Sequence, residues 1–399
     1  MPAAAHERSF AIPADVITEV HGWRTRFLGI GAVALLLGII GAFFNPTQFF
    51  RSYIWCYMFF IGVPLGATAL LMLQYLTGGA WGVIIRRPCE AASRTLPLLA
   101  ILFIPVIIGM PYLYQWSHAD IVAHDPLLQH KHIYLNVPFF LIRAGLYFVG
   151  WILIARLLYR WSGEQDRGDA RAAGRLGALS GPGLIFYGFS VTFMAIDWIL
   201  SINPHWFSTI FGLLFIAGEA LSAIAFLICF FVIFSSRPPL SDVLTRQHLH
   251  DMGNLMLTFV MVWAYFTFAQ LLVIWSGDLP DEIPWYLNRF AGGWQYIGVA
   301  LALFQFALPF ALLLSRDTKR NFQLLRRVAI LVIVMRFVDL YWMVAPDFSK
   351  SRITVSWMDF VLPIGLGGIW LAVFLWQLEL RPLLPLGDPS LEEALEHGK

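Results

Sequence analysis

Apolar runs of about twenty residues, separated by short polar or charged stretches, recur along almost the whole chain. A helix needs about 20 apolar residues to cross a hydrocarbon core of roughly 30 Å, so each of these runs can span a bilayer. The ten predicted spans are residues 26–44, 53–76, 96–113, 137–156, 183–200, 207–234, 255–275, 294–315, 328–344 and 357–378. This pattern predicts an all-α, polytopic membrane protein of about ten transmembrane helices.

The spans divide the chain into an N-terminal segment (1–25), a transmembrane domain (26–378) and a C-terminal tail (379–399). Nineteen Lys and Arg residues fall on the same side of the alternating spans as both termini, and five fall on the other side. Because cytoplasmic loops carry the excess of positive charge, we predict that both termini are cytoplasmic. No cleavage pattern follows the first span, so we expect it to remain as an anchor.

Two polar stretches on the predicted cytoplasmic side lack the pattern of a packed element. Residues 162–179 mix charges with Gly and Ala, and residues 382–399 are interrupted by Pro and then become acidic. We expect a solvated, mobile linker in the first stretch and at most a short exposed helix in the second.

One motif occurs twice. Asp197 near the end of the fifth span is followed seven residues later by Pro204, and Asp339 near the end of the ninth span is followed seven residues later by Pro346. An offset of four spans preserves direction, so the motif favours two four-helix bundles, spans 2–5 and 6–9, with spans 1 and 10 flanking them. Chance is the alternative in a chain this rich in Phe and Trp.

Composition narrows the function classes. The chain is 59% hydrophobic and 13% charged, with a mean hydropathy of +0.69, so it has too little polar surface for a soluble globule. The net charge of +2 comes without any basic run interleaved with aromatics, which argues against a nucleic-acid partner. Its three cysteines are far apart, and its histidines lie in loops or at span ends, so we expect no metal or haem site.

Ionisable residues inside the spans are few, and each costs about 2.5 to 3.5 kcal/mol in a bilayer. Glu219 lies about 18 Å into the sixth span, near mid-membrane. It is either protonated, bonded to another helix or part of a proton path. Arg336 and Asp339 form either a self-neutralising pair one turn apart or a polar path with Glu219. His248 and Asp251 can feed such a path or serve only as interfacial residues.

Four further residues share a depth near the outer face: Arg143, Asp197, His205 and Asp359. A quinol site needs donors for a carbonyl oxygen, a group that accepts the proton and aromatic walls, and this set can supply them. The alternative is an Arg–Asp ion pair that closes a helix bundle.

Several stretches together resemble one family. They are GAFFNPTQFF (41–50), LQYLTGGAW (73–81), DPLLQHKHIYLNVPF (125–139), AIDWILSINPHWFS (195–208), QHLHDMGN (247–254), WSGDLPDEIPWY (275–286) and RFVDLYW (336–342). They resemble the ActF-type membrane subunit of alternative complex III, the bacterial quinol:cytochrome c oxidoreductase unrelated to the bc1 complex. ActF-type subunits belong to the NrfD, or polysulphide reductase membrane subunit, family.

The resemblance implies a bacterial inner-membrane subunit with two four-helix bundles and no bound cofactor of its own. Its expected partners are the lipid bilayer, a sibling NrfD-like (ActC-type) subunit, an iron-sulfur/molybdopterin-like subunit and c-type haem subunits. The family binds quinone, here menaquinone or ubiquinone, but the resemblance places quinol oxidation in the sibling subunit. This chain would then be its structural and proton-conducting counterpart. A secondary transporter or a purely structural anchor is the alternative.

Overall fold

A computed structural model describes residues 13–349 and 352–396, without the side chain of Ala80. Three basic residues that contribute to the charge bias, Arg8, Lys350 and Lys399, lie outside the described residues. The described residues are 81% helical and contain no strand. The predicted all-α fold class is confirmed.

Within the part of the chain that the structure describes, ten helices are long and apolar enough to cross a membrane. They are α1 (Ala14–Phe44), α2 (Pro46–Thr77), α3 (Arg86–Ile108), α4 (Val137–Asp166), α5 (Ala172–Ile202), α6 (Phe211–Phe234), α7 (Arg246–Gly277), α8 (Trp294–Leu314), α9 (Phe322–Phe348) and α10 (Met358–Glu379). Their number agrees with the ten spans predicted from the apolar runs. The chain therefore fits an integral membrane protein.

The ten helices form two four-helix bundles and a flanking pair. Helices α2, α3, α4 and α5 contact one another in a closed ring, and α6, α7, α8 and α9 form a second ring. The rings meet where α2 and α5 pack against α6, and where α2 also packs against α9. Helices α1 and α10 pack together and against α2. This is the arrangement that the repeated aspartate motif favours.

Small residues allow the flanking pair to pack closely. A Cβ on Gly31 of α1 would lie 2.6 Å from the backbone nitrogen of Ile369, and one on Gly365 of α10 would lie 2.8 Å from that of Leu35. Close backbone approach through glycine is a common basis of helix association in membranes, where van der Waals packing replaces the hydrophobic effect. The two helices of the pair are thus packed backbone to backbone at these positions.

Polar caps mark where several spans begin. Asn45 separates α1 from α2, and its side chain accepts a hydrogen bond from the amide of Gln48 at 3.0 Å. Pro46 follows it at the first helical position, where a missing N–H costs nothing. Asn136 caps α4 in the same way through the amide of Phe139 at 2.9 Å.

The two ends of the bundles differ in charge. The connections 78–85, 167–171, 235–245 and 315–321 lie at one end, which we call the basic face because most of the Lys and Arg residues lie there. The connections 109–136, 203–210 and 278–293, and the described residues 349 and 352–357, lie at the other end, which we call the opposite face.

Two loop segments cover the bundles at the opposite face. In the connection between α3 and α4, Lys131 donates from Nζ to the carbonyl oxygen of Pro204 at 2.6 Å. In the connection between α7 and α8, the buried Arg289 pairs with Asp347 at 2.8 Å. Each bundle is therefore closed by a basic side chain that reaches the end of its last helix.

Two predictions about the basic face are wrong, and a third holds only in part. Helix α3 begins at Arg86, ten residues before the predicted start, because its first arginines have acidic partners and are buried within the helix. The stretch 162–179 is largely helical, since α4 continues to Asp166 and α5 begins at Ala172. The tail contains a short helix, Leu391–Glu396, but it is only partly exposed: Leu384 and Ala394 have no exposed surface, whereas Leu386 is 47% exposed.

Candidate functional site

A buried polar cluster lies where the two bundles meet. Glu219 of α6 is 3% exposed, and its Oε2 accepts a hydrogen bond from the hydroxyl of Tyr187 on α5 at 2.7 Å. The other carboxyl oxygen, Oε1, is buried, and no described residue hydrogen-bonds to it. The sequence predicted that Glu219 is protonated, bonded to another helix or part of a proton path. The hydrogen bond to Tyr187 is a bond to another helix.

The depth of Glu219 differs from the prediction. Helix α6 begins at Phe211 rather than at residue 207, so Glu219 lies eight residues from the opposite-face end of the helix. At 1.5 Å per residue this is about 12 Å, compared with the 18 Å expected from the sequence. Asp339 lies nine residues before the end of α9, which is about 13 Å from the same face. The two carboxyl groups thus share one depth.

Arg336 and Asp339 form the predicted ion pair within α9, with both side chains buried. Asp339 also accepts a hydrogen bond from Nε1 of Trp263 on α7 at 3.0 Å. The charge of Arg336 acts on Glu219, which it approaches from the side of Gly218. We call Tyr187, Glu219, Trp263, Arg336 and Asp339 the junction cluster.

Glycines let the surrounding helices approach the junction cluster closely. A Cβ on Gly218 would lie 2.1 Å from Cζ of Arg336, and one on Gly66 of α2 would lie 2.2 Å from the carbonyl oxygen of Glu219. A Cβ on Gly62 would lie 3.2 Å from Cγ of Glu219. Helix α2 therefore covers the glutamate, while the arginine occupies the space that a larger residue would fill.

A second ion pair lies inside the first bundle. Arg143 donates from Nε and Nη2 to the two carboxyl oxygens of Asp197 at 2.8 and 2.9 Å. Nη1 donates to the carbonyl oxygen of Tyr134 at 3.0 Å, and the hydroxyl of Tyr147 donates to Asp197 at 2.8 Å. Every guanidinium nitrogen of Arg143 therefore has a partner. This agrees with the alternative to a quinol site, in which an Arg–Asp ion pair closes the helix bundle.

The other two outer-face candidates lie elsewhere. His205 is half exposed and pairs with Asp125 at 2.7 Å. Asp359 lies at the start of α10 and faces a pocket lined by α2 and α9. Of the four residues proposed for one quinol site, the structure thus brings together only Arg143 and Asp197.

Asp125, in the connection between α3 and α4, has a carboxyl group with a lowered pKa. Burial raises its pKa, but hydrogen bonds from the Leu128 amide and from His205 outweigh burial and hold the pKa below its ordinary value. Its carboxylate also caps the short helix Pro126–Lys131 through the Leu127 amide at 2.9 Å. Asp125 therefore fixes the loop that covers the first bundle.

His248 and Asp251 lie at the basic face, in the first turns of α7. Nδ1 of His248 faces the hydroxyl of Thr245 at 3.0 Å, and Nε2 lies 3.1 Å from the carbonyl oxygen of Ala394 in the tail. Asp251 accepts a hydrogen bond from Gln247 at 2.8 Å.

Twelve residues, or about 18 Å, separate Asp251 from Trp263 along α7. The buried residues of α7 between them are Met252, Gly253, Met256 and Val260. Helix α7 itself therefore supplies no buried polar side chain that would link the basic face to the junction cluster.

Sequence reasoning missed a buried ionic network at the basic face. Arg87 donates from Nη1 to Glu90 at 2.7 Å and also pairs with Asp166 of α4. Arg86 pairs with Asp388 of the tail. We call these five residues the basic-face network. Arg87 and Glu90 are three residues apart, a spacing that brings two side chains together on a helix. This signal was visible in the sequence, but the positive-inside rule already explained the arginines as residues of a cytoplasmic loop.

A second missed residue is Gln305 of α8. It is fully buried in a π-helical stretch, Leu301–Ala307, and no described residue hydrogen-bonds to either atom of its amide. A single amide within the eighth apolar run was visible in the sequence, but only ionisable residues were considered there. π-Helical turns are frequent at functional sites.

Among the described residues, no three His, Cys, Asp or Glu side chains are grouped so that they could hold a metal ion. Comparison with protein-family models and with curated proteins gave no match for this chain.

Proposed function

We propose that this chain is a membrane subunit of a quinol:cytochrome c oxidoreductase of the alternative complex III type. Partner subunits would carry the electrons, and this subunit would provide a scaffold that conducts protons. The observation that carries the proposal is the junction cluster, in which the carboxyl group of Glu219 lies buried between two bundles and is bonded to Tyr187. Intramembrane ionisable groups are costly and commonly mark proton or ion pathways.

The two-bundle architecture supports the proposal, because the resemblance of the sequence implies the same arrangement. The charge bias supports a bacterial inner-membrane orientation in which the basic face is cytoplasmic. In that orientation the junction cluster lies closer to the periplasmic face, about 12 Å from the opposite-face end of α6.

The cluster has the groups that proton exchange needs. Glu219 can take up and release a proton, and the hydroxyl of Tyr187 is in hydrogen-bond contact with it. Arg336 supplies a nearby positive charge that compensates the carboxylate each time the proton leaves. Asp339 and Trp263 hold Arg336 in place.

Quinol, whether menaquinol or ubiquinol, would be oxidised in the sibling ActC-type subunit. The iron-sulfur/molybdopterin-like subunit and the c-type haem subunits would then pass the electrons toward cytochrome c. The four outer-face candidates do not share a pocket, and Arg143 is fully occupied by Asp197 and Tyr134. We therefore assign Arg143 and Asp197 to closing the first bundle.

One observation favours the alternative of a purely structural anchor. The Arg143–Asp197 and Arg336–Asp339 pairs have further partners among neighbouring residues, as expected of charges that only hold helices together. Oε1 of Glu219, to which no described residue hydrogen-bonds, supports the proton-conducting proposal over this alternative, because we expect a structural carboxylate to have partners for both oxygens.

Purification of the tagged chain from native membranes tests the proposal. We expect it to copurify in fixed ratio with c-type haem, seen by its absorbance, and with an iron-sulfur subunit, identified by mass spectrometry. The preparation should oxidise quinol with cytochrome c as acceptor. A chain that is isolated alone from gently solubilised membranes, without haem or quinol oxidation, would rule out the complex.

A further inference from the structure

A polar pocket lies at the opposite-face end of the seam between α2, α9 and α10. It has a volume of about 30 Å³, and the residues that line it include Arg51, Ser52, Tyr341, Thr354 and Asp359. The pocket belongs neither to the junction cluster nor to the Arg143–Asp197 pair.

Arg51 has no counter-ion in this pocket. Among the described residues it forms no ion pair or hydrogen bond, and its Nε is buried without a partner. Its guanidinium lies over the ring of Phe348 at 4.8 Å. A partly buried guanidinium without an anion is costly, and its fork of N–H donors matches a phosphate group.

Asp359 carries the opposite charge on the other side of the same pocket. It is 8% exposed, and its Oδ2 accepts a hydrogen bond from the amide of Ser356 at 2.8 Å. No described cation pairs with it, and in particular it forms no ion pair with Arg51. One pocket therefore presents a cation and an anion that do not neutralise each other directly.

A separate apolar crevice lies further toward the centre of the membrane, between the same three helices and α1 and α6. It has a volume of about 410 Å³, and its lining includes Phe59, Phe60, Ile333, Ile364 and Gly367. Phe59 lies eight residues beyond Arg51, and Gly367 lies eight residues beyond Asp359. At 1.5 Å per residue both are about 12 Å from the polar pocket, within the roughly 15 Å of one bilayer leaflet.

The polar groups of the crevice are already committed. The hydroxyl of Ser222 donates to the carbonyl oxygen of Gly218 at 2.8 Å, and Nε1 of Trp370 donates to the hydroxyl of Thr95 at 2.9 Å. The crevice therefore has an apolar lining that suits a hydrocarbon chain. It has no free hydrogen-bond donor for the carbonyl groups of a quinone ring.

We propose that this seam binds one phospholipid with an ethanolamine headgroup. The phosphate would lie against Arg51, the ammonium group against Asp359, and one acyl chain in the apolar crevice. In this headgroup the ethanolamine link separates the negative phosphate from the positive ammonium group. In the pocket, Arg51 and Asp359 are likewise two opposite charges that do not pair with each other.

The chemistry selects among membrane lipids. A primary ammonium has three N–H donors for the carboxylate of Asp359, whereas the quaternary ammonium of a choline headgroup has none. A glycerol headgroup would leave Asp359 without a cation. The polar pocket has room for the ammonium group while the phosphate stays at its mouth beside Arg51. It is far smaller than the roughly 300 Å³ of the smallest usual ligand pockets, so it does not enclose a quinone ring.

The proposal is independent of the proposed proton path and is tested by lipid exchange on the purified protein. The protein is delipidated in detergent, and the melting temperature is measured after adding phosphatidylethanolamine, phosphatidylcholine or phosphatidylglycerol of the same acyl chains. Native mass spectrometry counts the lipids that remain bound. We expect one tightly held phosphatidylethanolamine and a larger rise in melting temperature with that lipid than with the other two.

Two variants and a control locate the site. Loss of one charge-assisted contact in Arg51→Ala or Asp359→Asn should weaken phosphatidylethanolamine binding about tenfold or more. Arg352→Ala, which removes an exposed arginine from the same face, should leave binding unchanged. Equal melting temperatures of the delipidated variants and the delipidated wild type would show that the fold is retained.

Three outcomes would overturn the proposal. Equal stabilisation by all three lipids would show only general annular binding. Unchanged phosphatidylethanolamine binding in a folded Arg51→Ala variant would place the lipid elsewhere. Copurification of a quinone that is lost in Arg51→Ala would assign the seam to quinone.

Discussion

The guanidinium of Arg336 lies against the backbone of Gly218, so that a Cβ on this glycine would lie 2.1 Å from Cζ of the arginine. The residue after Gly218 is Glu219, the carboxyl group of the junction cluster. The absence of a side chain at position 218 thus allows the cation Arg336 to lie beside a buried carboxyl group. Glu219 and Arg336 both belong to the second bundle, and the hydrogen bond from Tyr187 to Glu219 links this pair to the first bundle.

Gly218→Ala should displace Arg336 and destabilise the protein. Overpacking of a closely packed core costs about 1 to 3 kcal/mol, and here the neighbour that must move is a buried charge. Thermal unfolding of the purified protein measures the loss. Gly188→Ala is the matched control, because a Cβ there meets no atom within 4 Å. If both variants melt at the same temperature, the contact between Arg336 and Gly218 is not significant.

Glu219→Gln should lower proton translocation while assembly stays intact. The amide keeps the size of the side chain but cannot exchange a proton, whereas Tyr187→Phe should have a smaller effect because it removes one hydrogen-bond partner only. The measurement is the number of protons translocated per electron in proteoliposomes that contain the purified complex. Glu164→Gln, at the basic face, serves as the control. Unchanged proton translocation in Glu219→Gln would reject the proton path.

The sequence predicted the junction cluster only in part. Glu219, Arg336 and Asp339 stand out because charges are rare in apolar runs, and the structure brings all three together. Their neutral partners Tyr187 and Trp263 could not be singled out, since aromatic residues are common throughout these runs.

The basic-face network was missed for a different reason. A row of arginines before an apolar run predicts a cytoplasmic loop, and that rule makes no distinction between a solvated arginine and one that is buried with an acid. The acid that pairs with Arg86 lies 302 residues away in the tail, a separation that periodicity within one helix cannot reveal.

Removing Arg143 alone should be far more harmful than removing it together with Asp197. Arg143→Met leaves a buried carboxylate without its cation, which costs about 3 to 5 kcal/mol, while a buried pair replaced by apolar residues is often neutral. We expect thermal unfolding of Arg143→Met/Asp197→Leu to lie close to wild type. Arg160→Met is the control, because its pair with Glu164 is exposed and contributes little.

The same double variant separates structure from ligand binding. A pair that only closes the first bundle should be dispensable for quinol oxidation once the apolar replacement restores stability. A stable, assembled double variant that had lost quinol oxidation would instead assign Arg143 and Asp197 to a quinol site.

Asp388→Ala should release the C-terminal tail from the basic face. Arg86, which is 6% exposed, would keep only Gln74 as a hydrogen-bond partner, so the variant leaves a buried cation without its anion. Limited proteolysis should cut the tail of the variant sooner than that of wild type, and the melting temperature should fall. Asp242→Ala, an exposed aspartate at the same face, should change neither. An equally resistant tail would show that apolar contacts such as those of Leu384 suffice.

Asp125 should contribute to stability at neutral pH and lose this contribution in acid. Its pKa in the folded protein is lowered below the value of about 3.9 in an unfolded chain, so the contribution is complete above that value and disappears as the pH falls through the folded pKa. Asp125→Asn should therefore melt below wild type at pH 7, and the two should converge below about pH 4. Asp120→Asn in the same connection is the control, because Asp120 is exposed. A difference between Asp125→Asn and wild type that persists unchanged below that pH would mean that the carboxylate charge is not what fixes this loop over the first bundle.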